Sequence, residues 1–251
     1  NGIKVPMGRP IYLNDDCIVK FGACIDGCRA YLSIAGGFDI PLVMESKSTY
    51  IRGGIGGKDG RALKNGDEIK IAEKNDLSKK IIMKLFDSKS KKAFTYPKWY
   101  IKEAIFKKLE NNEIRVLEDR QFKDVSYESI DKFFDLEFVI DSKSDRMGYR
   151  LNGPEIKFKH DIEMISGEVS FGTIQIPPDG NPIILLADRA TAGGYPKIAR
   201  VIYYDFQRIV QRKPSEKIKF KRITIEKAED LYLEREKYIE DLKKSIKLIS
   251  I

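Results

Sequence analysis

Residues 170–200 constrain the fold more than any other stretch of the chain, because they predict a β-hairpin. Residues 171–176 alternate small or polar residues with apolar ones, which is typical of a half-buried strand. Residues 177–182 are rich in turn formers, with three prolines that fix φ and Gly180, which can adopt a positive φ. Residues 183–187 form a continuous apolar run, which predicts a strand buried on both faces.

Polar side chains and two adjacent glycines follow this second strand directly. Asp188, Thr191 and Tyr195 lie on either side of Gly193 and Gly194. Asp and Thr side chains can bond nearby backbone N–H groups, and paired glycines allow another molecule to approach the backbone closely. A tight turn with its own capping bonds is one interpretation, and a binding site at the end of a core strand is the other.

Three ordered motifs resemble the biotin-dependent carboxyltransferase family. They are residues 28–69, residues 144–156 and residues 172–199, and the resemblance covers most of residues 2–228. That family includes the C subunit of bacterial ATP-dependent 5-oxoprolinase, the KipI antagonist KipA and a domain of urea carboxylase. Two places depart from the family pattern. Glu45 stands where the family usually has glycine, and residues 118–120 replace a usual Gly-Pro turn.

The resemblance implies a mainly β fold with two cyclophilin-like β-barrel lobes, short helices and a C-terminal helix. We expect an N-terminal β lobe at residues 1–90, without the family's N-terminal segment, and a C-terminal barrel at residues 91–225. A polar stretch at residues 87–92 predicts the boundary between them. Apolar residues recur every three or four positions beyond Thr224, which predicts a helix over residues 226–251.

Local patterns predict the smaller elements. Residues 11–13, 17–21 and 30–34 are candidate strands, and Ser126 and Asp205 are candidate N-caps of short helices. Residues 99–109 suit a short helix almost as well as a strand. The glycine-rich residues 53–61 fit neither the P-loop nor the dinucleotide-binding pattern, so they predict a loop without a nucleotide site.

Composition excludes several classes of protein. The formal net charge is +8, but the lysines are spread along the chain in short pairs, which argues against a nucleic-acid partner. No run approaches the roughly 20 apolar residues needed to cross a bilayer, and no signal peptide is apparent, so we expect a cytoplasmic protein without a membrane partner. Three cysteines and one histidine, His160, make a metal site unexpected; the cysteines are interpreted as small core residues.

An anion-binding site is predicted from arginines, amides and hydroxyls. Arg146 and Arg150 are four residues apart in a predicted strand, so both could face one carboxylate; pairing with Asp145 or Glu155 is the alternative. The family motifs add Ser166 and Gln175. No catalytic residue is identified, because these groups suit both carboxyl transfer and simple recognition. The predicted substrate-binding set is Arg146, Arg150, Ser166, Gln175, Asp188, Thr191, Gly193, Gly194 and Tyr195.

The resemblance implies the C subunit of a 5-oxoprolinase, a hydrolase that opens 5-oxoproline to glutamate at the expense of ATP. Such a subunit is not expected to act alone, and its partners would be a subunit-B or KipI-like protein and a subunit-A-like protein in a hetero-oligomer. The chain alone is expected to bind no cofactor, with carboxybiotin or ATP supplied through partner subunits. Two alternatives stay open: a KipA-type regulatory binding protein, and the carboxyltransferase component of a biotin-dependent urea or amide carboxylase.

Overall fold

The computed structural model describes residues 2–14, 17–87, 92–101 and 112–250, and it divides into two compact units. Unit 1 comprises residues 1–22, 30–103 and 241–251, and unit 2 comprises residues 23–29 and 104–240. The domain limits predicted at residues 90 and 225 stay predictions. The two units are described separately.

Unit 1 contains short, local elements in its described residues. Strand β1 (Tyr12–Leu13) pairs antiparallel with β2 (Phe94–Thr95), and single bridges join Phe38 to Ile71 and Tyr50 to Ile55. Helix α1 (Asp76–Leu85) begins after Asn75, whose side chain accepts a hydrogen bond from the Ser78 N–H. Among these residues the pairings do not close into a barrel.

The sequence predictions for unit 1 are confirmed only in part. The strands predicted at residues 17–21 and 30–34 are wrong, since neither segment forms a ladder. Helix α1 was not predicted, although its Asn75 cap is a recognisable signal. The loop predicted at residues 53–61 is confirmed as a series of turns. The polar residues 88–91 and most of the ambiguous segment 99–109 lie outside the described residues.

Unit 2 is built on a closed β-barrel, so the mainly β fold class is confirmed. Its seven strands follow the order β10-β3-β11-β4-β5-β8-β7, and β11 pairs with β3 in parallel while the other neighbours are antiparallel. A separate two-stranded sheet joins β6 to β9. The strands of unit 2 are β3 (Glu113–Glu118), β4 (Phe138–Ile140), β5 (Gly148–Asn152), β6 (Gly167–Glu168), β7 (Thr173–Gln175), β8 (Ile183–Leu185), β9 (Ala192–Gly193), β10 (Lys197–Val201) and β11 (Lys217–Arg222).

Two short helices lie between barrel strands in the sequence, and a long helix follows the last strand. Helix α2 (Tyr127–Asp135) is capped by Ser126 as predicted, and α3 (Phe206–Val210) follows β10. The predicted C-terminal helix is confirmed as α4 (Ile225–Ser250). Of the helices in the described ranges, none combines the length and the apolar character that crossing a membrane requires.

The core of unit 2 is aromatic and aliphatic. Phe133 of α2 stacks on Phe220 of β11 with 4.5 Å between ring centroids, and Phe138 of β4 contacts both rings. All three side chains are essentially inaccessible to solvent. Burying one such side chain contributes about 1.5–3 kcal/mol to folding, so this cluster stabilises the packing of α2 on the barrel.

Asp205 does not cap α3, which corrects the sequence prediction. Its carboxylate is fully buried and accepts hydrogen bonds from the backbone N–H and the guanidinium of Arg115, at 2.6–3.0 Å. It also forms an ion pair with Arg208 at 3.0 Å. Burial is the largest single influence and lowers the pKa of Arg115, but hydrogen bonding and charge attraction, mainly from Asp205, together raise that pKa above its usual value. A carboxylate between two arginines therefore ties α3 to strand β3.

The cysteines are not core residues, contrary to the sequence prediction. Cys24 is exposed, and Cys17 and Cys28 are only half-buried. The Cys28 thiol donates to the carbonyls of Val210 and Arg212, which gives it a polar rather than an apolar environment.

Candidate functional site

The predicted hairpin is confirmed and forms the base of the candidate site. Strands β7 and β8 pair antiparallel with Ile174 opposite Ile184, and Gly180 in the connecting turn has φ +74°. Strand β8 differs from its prediction, because Ile183 and Leu185 are half-buried while Ile184 is fully buried. The barrel wall has an inner and an outer face, so only alternate residues enter the core.

Gln175 is a buried polar group on β7. It alternates with Ile174 and Ile176, which belong to the core, so Gln175 points to the outer face of the barrel. Its side chain is only 5% exposed, and its Nε2 donates to the Tyr195 carbonyl at 3.2 Å. No described donor reaches its Oε1, which leaves that acceptor available to a ligand.

The glycine pair covers Gln175. Strand β6 pairs with β9 so that Gly167 lies opposite Gly193, and a Cβ on Gly193 would lie 2.5 Å from Gln175 Nε2. Gly193 does not have a positive φ, so backbone conformation does not require glycine at this position. Close approach to Gln175 is the physical requirement for glycine here.

Ser166 and Tyr195 flank the glycines. A Cβ on Gly194 would lie 3.3 Å from Ser166 Oγ, so the Ser166 hydroxyl is adjacent to the second glycine. Both Ser166 and Gly194 are exposed, and Tyr195 has 44% of its surface accessible. The structure therefore brings Ser166, Gln175, Gly193, Gly194 and Tyr195 together.

Arg146 and Asp188 form a second, more exposed group. Arg146 Nε lies 3.0 Å from Asp188 Oδ2, and Arg146 Nη2 donates to Asp188 Oδ1 at 3.0 Å. The two residues therefore form a bidentate ion pair. Arg146 precedes β5, and the Asp188 N–H donates to the Arg146 carbonyl. The two residues are 42 positions apart in the sequence, and the fold brings them together.

Arg150 is not part of that pair. It lies in β5 opposite Ile183, is exposed, and forms no ion pair with a described residue. Its charge is one of the smaller contributions that lower the pKa of Asp141, after hydrogen bonds from the Lys143 N–H and Asn152. Thr191 is exposed next to β9, and its carbonyl accepts from the Val169 N–H. The geometry thus gives a single arginine with its own carboxylate instead of a two-arginine clamp.

Sequence reasoning missed Lys197, which lies beside the glycines. Lys197 begins β10 opposite Gln175 and is only 8% exposed. Its Nζ lies 3.5 Å from the Gly193 carbonyl, and its backbone bonds reciprocally to Gln121. A lysine among Pro196, Ile198 and Ala199 is unusual in a buried strand, and that was the available signal.

A cleft of about 190 Å³ opens at Lys197. Charged groups of both signs surround it, with Arg120 3.5 Å from Glu168 and Arg200 3.6 Å from Asp119. Asp119 and Arg120 belong to the short segment that departs from the family's Gly-Pro turn, which was a second missed signal. The cleft is lined by Asp119, Arg120, Glu168, Val169, Ser170, Lys197 and Arg200.

Comparison with known proteins places this site in a family. Residues 1–222 match the family described as the carboxyltransferase domain, subdomains A and B. The chain belongs to this family. Both the hairpin and the cleft lie inside the matched region, so they are features of the carboxyltransferase domain itself.

Two curated relatives of this carboxyltransferase chain carry the same name. It is 32% identical over 229 residues to the 5-oxoprolinase C subunit of Haemophilus influenzae, covering 91% of this chain and 67% of the relative. It is 34% identical over 216 residues to the 5-oxoprolinase C subunit of Escherichia coli, covering 86% and 63%. The chain therefore spans about two thirds of the length of these relatives.

A solved structure of the family has the same fold. The crystal structure of the K. lactis urea amidolyase superposes with a TM-score of 0.72 at 27% identity. The match covers 86% of this chain and 13% of that much longer chain.

Proposed function

We propose that this chain is the C subunit of an ATP-dependent 5-oxoprolinase, which opens 5-oxoproline to glutamate together with partner subunits. The observation that carries the proposal is the identity of 32% and 34%, over most of the chain, to two proteins named as the C subunit of 5-oxoprolinase. The site around Gln175 and Gly193 supports it, because its groups match those of a small polar lactam.

The chemistry of 5-oxoproline suits this group of residues. The molecule has a lactam N–H, a lactam carbonyl and a carboxylate. The Gln175 Oε1 is an acceptor for the lactam N–H, and the exposed Ser166 hydroxyl can donate to the carbonyl. Gly193 packs against the same amide, which places the two glycines beside the proposed contact. The proposed role of this chain is therefore to bind and orient the lactam.

Partner subunits complete the proposed enzyme. The sequence contains no nucleotide-binding loop, so ATP is assigned to a subunit-A-like or a subunit-B or KipI-like partner in a cytoplasmic hetero-oligomer. Such an assembly is supported by the relatives, since both are named as one subunit of a larger enzyme.

A carboxyltransferase role in a biotin-dependent urea or amide carboxylase is the second candidate. The structural match to a urea amidolyase favours it. In that role the same site would receive carboxybiotin through a partner and direct the carboxyl group to an amide nitrogen. The two candidates differ in the acceptor that stimulates ATP hydrolysis.

Reconstitution tests both candidates. The chain is purified with subunit-A-like and subunit-B-like proteins, and ATP hydrolysis is measured with 5-oxoproline, with urea, and without an acceptor. Stimulation by 5-oxoproline alone is the expected result. Stimulation by urea and biotin would replace the first candidate with the second, and tight binding of the subunit-B-like protein without any ATP hydrolysis would favour the KipA-type alternative.

Variants connect that activity to the site. Gln175→Leu removes the amide and should lower kcat/KM for 5-oxoproline about tenfold, the worth of one lost hydrogen bond at the upper end. Asn181→Ala removes an amide side chain in the turn of the same hairpin and serves as the matched control. Equal activity of the two variants would remove Gln175 from the site.

A further inference from the structure

Lys197 carries a positive charge for which the described residues provide no counter-charge. Its side chain is more than nine-tenths buried, yet no described carboxylate lies within 4.0 Å of Nζ. An ammonium has three donors, and its one acceptor here, the Gly193 carbonyl, lies at the long limit of a hydrogen bond. Burying a charged group is costly unless it is paired, so this position calls for an anion.

The other charges of the cleft are already paired. Arg120 faces Glu168, and Arg200 faces Asp119. The lining therefore contains three cations and two carboxylates, and its excess positive charge belongs to Lys197. A single uncompensated ammonium suits one carboxylate better than a phosphate, which carries nearly two charges at neutral pH.

The backbone around Lys197 is arranged to expose the ammonium to the cleft. The ladder between β10 and β7 shifts register between Lys197 and Ala199, and such irregularities redirect side chains. A Cβ on Gly167 would lie 3.6 Å from Lys197 Nζ, and no other side chain comes that close to this glycine. The space above the ammonium is thus left open by a glycine.

We propose that Lys197 is the anchor of a binding site for a small carboxylate or carboxylate-like monoanion, held in the cleft between β6, β10 and residues 119–120. Its Nζ donates to the anion, and Gly167 lies next to the ammonium on the β6 side of the cleft. The choice of 5-oxoproline as a probe rests on the proposed function, whereas the anion site itself is inferred from Lys197 and the cleft.

Two sources could provide this carboxylate. One is the free carboxylate of 5-oxoproline, and the other is a carboxyl group in transit, for which bicarbonate is the available probe. A third probe, 2-pyrrolidinone, has the same lactam ring as 5-oxoproline but no carboxylate. These three compounds separate recognition of charge from recognition of the ring.

Calorimetry on the full chain tests the proposal. Wild-type protein is titrated with 5-oxoproline, bicarbonate and 2-pyrrolidinone, and the titrations are repeated with Lys197→Met and with Lys143→Met, an exposed lysine of the same unit. Loss of a charge-assisted hydrogen bond should weaken carboxylate binding about 10- to 100-fold in Lys197→Met. Binding to Lys143→Met should match wild type.

A second variant keeps the test valid if Lys197→Met does not fold. Gly167→Ala places a methyl group at ordinary contact distance from Nζ at a position without a positive φ, so it should fold and still weaken carboxylate binding. Preference of the wild type for 5-oxoproline over 2-pyrrolidinone would assign the carboxylate to the substrate, and binding of bicarbonate alone would assign it to the carboxyl group in transit.

Three results would overturn the proposal. The first is equal affinity of the wild type for 5-oxoproline and 2-pyrrolidinone, without binding of bicarbonate. The second is no binding of any probe at millimolar concentration, and the third is unchanged carboxylate affinity in Lys197→Met. The proposed function fails separately. Carboxylate binding that depends on Lys197, without ATP hydrolysis stimulated by 5-oxoproline in the reconstituted complex, would keep the anion site and reject the 5-oxoprolinase assignment.

Discussion

Unit 2 contains the apolar core, whereas the described residues of unit 1 bury almost no apolar side chain. Every buried hydrophobic residue of the described chain lies between Ile114 and Phe220. In unit 1, by contrast, Ile18, Tyr31 and Met44 are each more than four-fifths exposed. The difference indicates that the barrel is the stable scaffold, and the candidate site is attached to that scaffold.

Backbone composition explains part of the difference. Unit 1 contains 11 of the 19 glycines, and glycine adds chain entropy while supplying no side chain for a core. Two adjacent residues, Met44 and Glu45, also have positive φ angles. Glu45 occupies a position where the family usually has glycine, and its φ of +62° gives the physical reason for that usual glycine.

Truncation of an apolar side chain should give the largest difference in stability between the two units. Phe133→Ala in unit 2 removes a fully buried ring that stacks on Phe220 and should cost about 3–5 kcal/mol of unfolding free energy. Leu42→Ala in unit 1 truncates a side chain that is 66% exposed and should cost less than about 0.5 kcal/mol. Urea unfolding of both variants measures this, and similar losses would contradict the comparison.

A buried ion pair should give the next largest effect. Asp205→Asn leaves Arg115 and Arg208 without their shared carboxylate and should cost about 3 kcal/mol. Glu73→Gln in unit 1 removes an exposed partner of Lys79 and should leave the unfolding midpoint unchanged. If Asp205→Asn were as stable as wild type in urea, the three-residue cluster would not link α3 to the barrel.

The glycine pair in unit 2 should give a smaller effect that depends on position. Gly193→Ala forces a methyl group onto Gln175 and should cost about 1–3 kcal/mol and weaken ligand binding. Gly194→Ala meets only Ser166 Oγ at 3.3 Å, so it should be nearly neutral. Thermal unfolding compares the two; the reverse order would show that Gln175 does not pack under Gly193. The Gly193→Ala loss should shrink in a Gln175→Ala background.

Acid should weaken both units modestly. Hydrogen bonds lower the pKa of Glu137 through Lys217, and they lower the pKa of Asp67 in unit 1 through Arg61. A carboxyl with a lowered folded-state pKa stabilises the fold above its unfolded pKa of about 4, and this contribution is lost as the pH falls through the folded pKa. The unfolding free energy should therefore decline below about pH 4. Glu137→Gln should flatten that decline, and an identical pH profile in this variant would contradict the assignment.

The sequence predicted regular strands of unit 2 well, because alternating or continuous apolar runs bounded by turn residues are local signals. The β7–β8 hairpin and the Ser126 cap both follow from such signals. The failures have a different origin. Asp205 was assigned to a helix cap because its partner Arg115 is ninety residues away, and no local pattern shows that pair.

The candidate site was predictable only where its residues belong to one continuous sequence motif. The family motif identified Gln175, Gly193 and Tyr195, and the structure brings them together. Lys197 was within that motif but was not singled out, since its burial depends on residues of β6 and β9 that lie close to it in space. Arg150 was grouped with Arg146 by spacing alone, although Arg146 precedes the strand that contains Arg150.

Hydrogen exchange of the full chain, with and without 5-oxoproline, tests the central claim that the barrel of unit 2 is both the stable scaffold and the base of the site. The barrel strands of unit 2 should contain the slowest amides, and those of residues 30–75 should exchange much faster. Added 5-oxoproline should slow exchange mainly at residues 166–170 and 191–197. Equal protection of the two units, or a ligand effect confined to unit 1, would contradict this account.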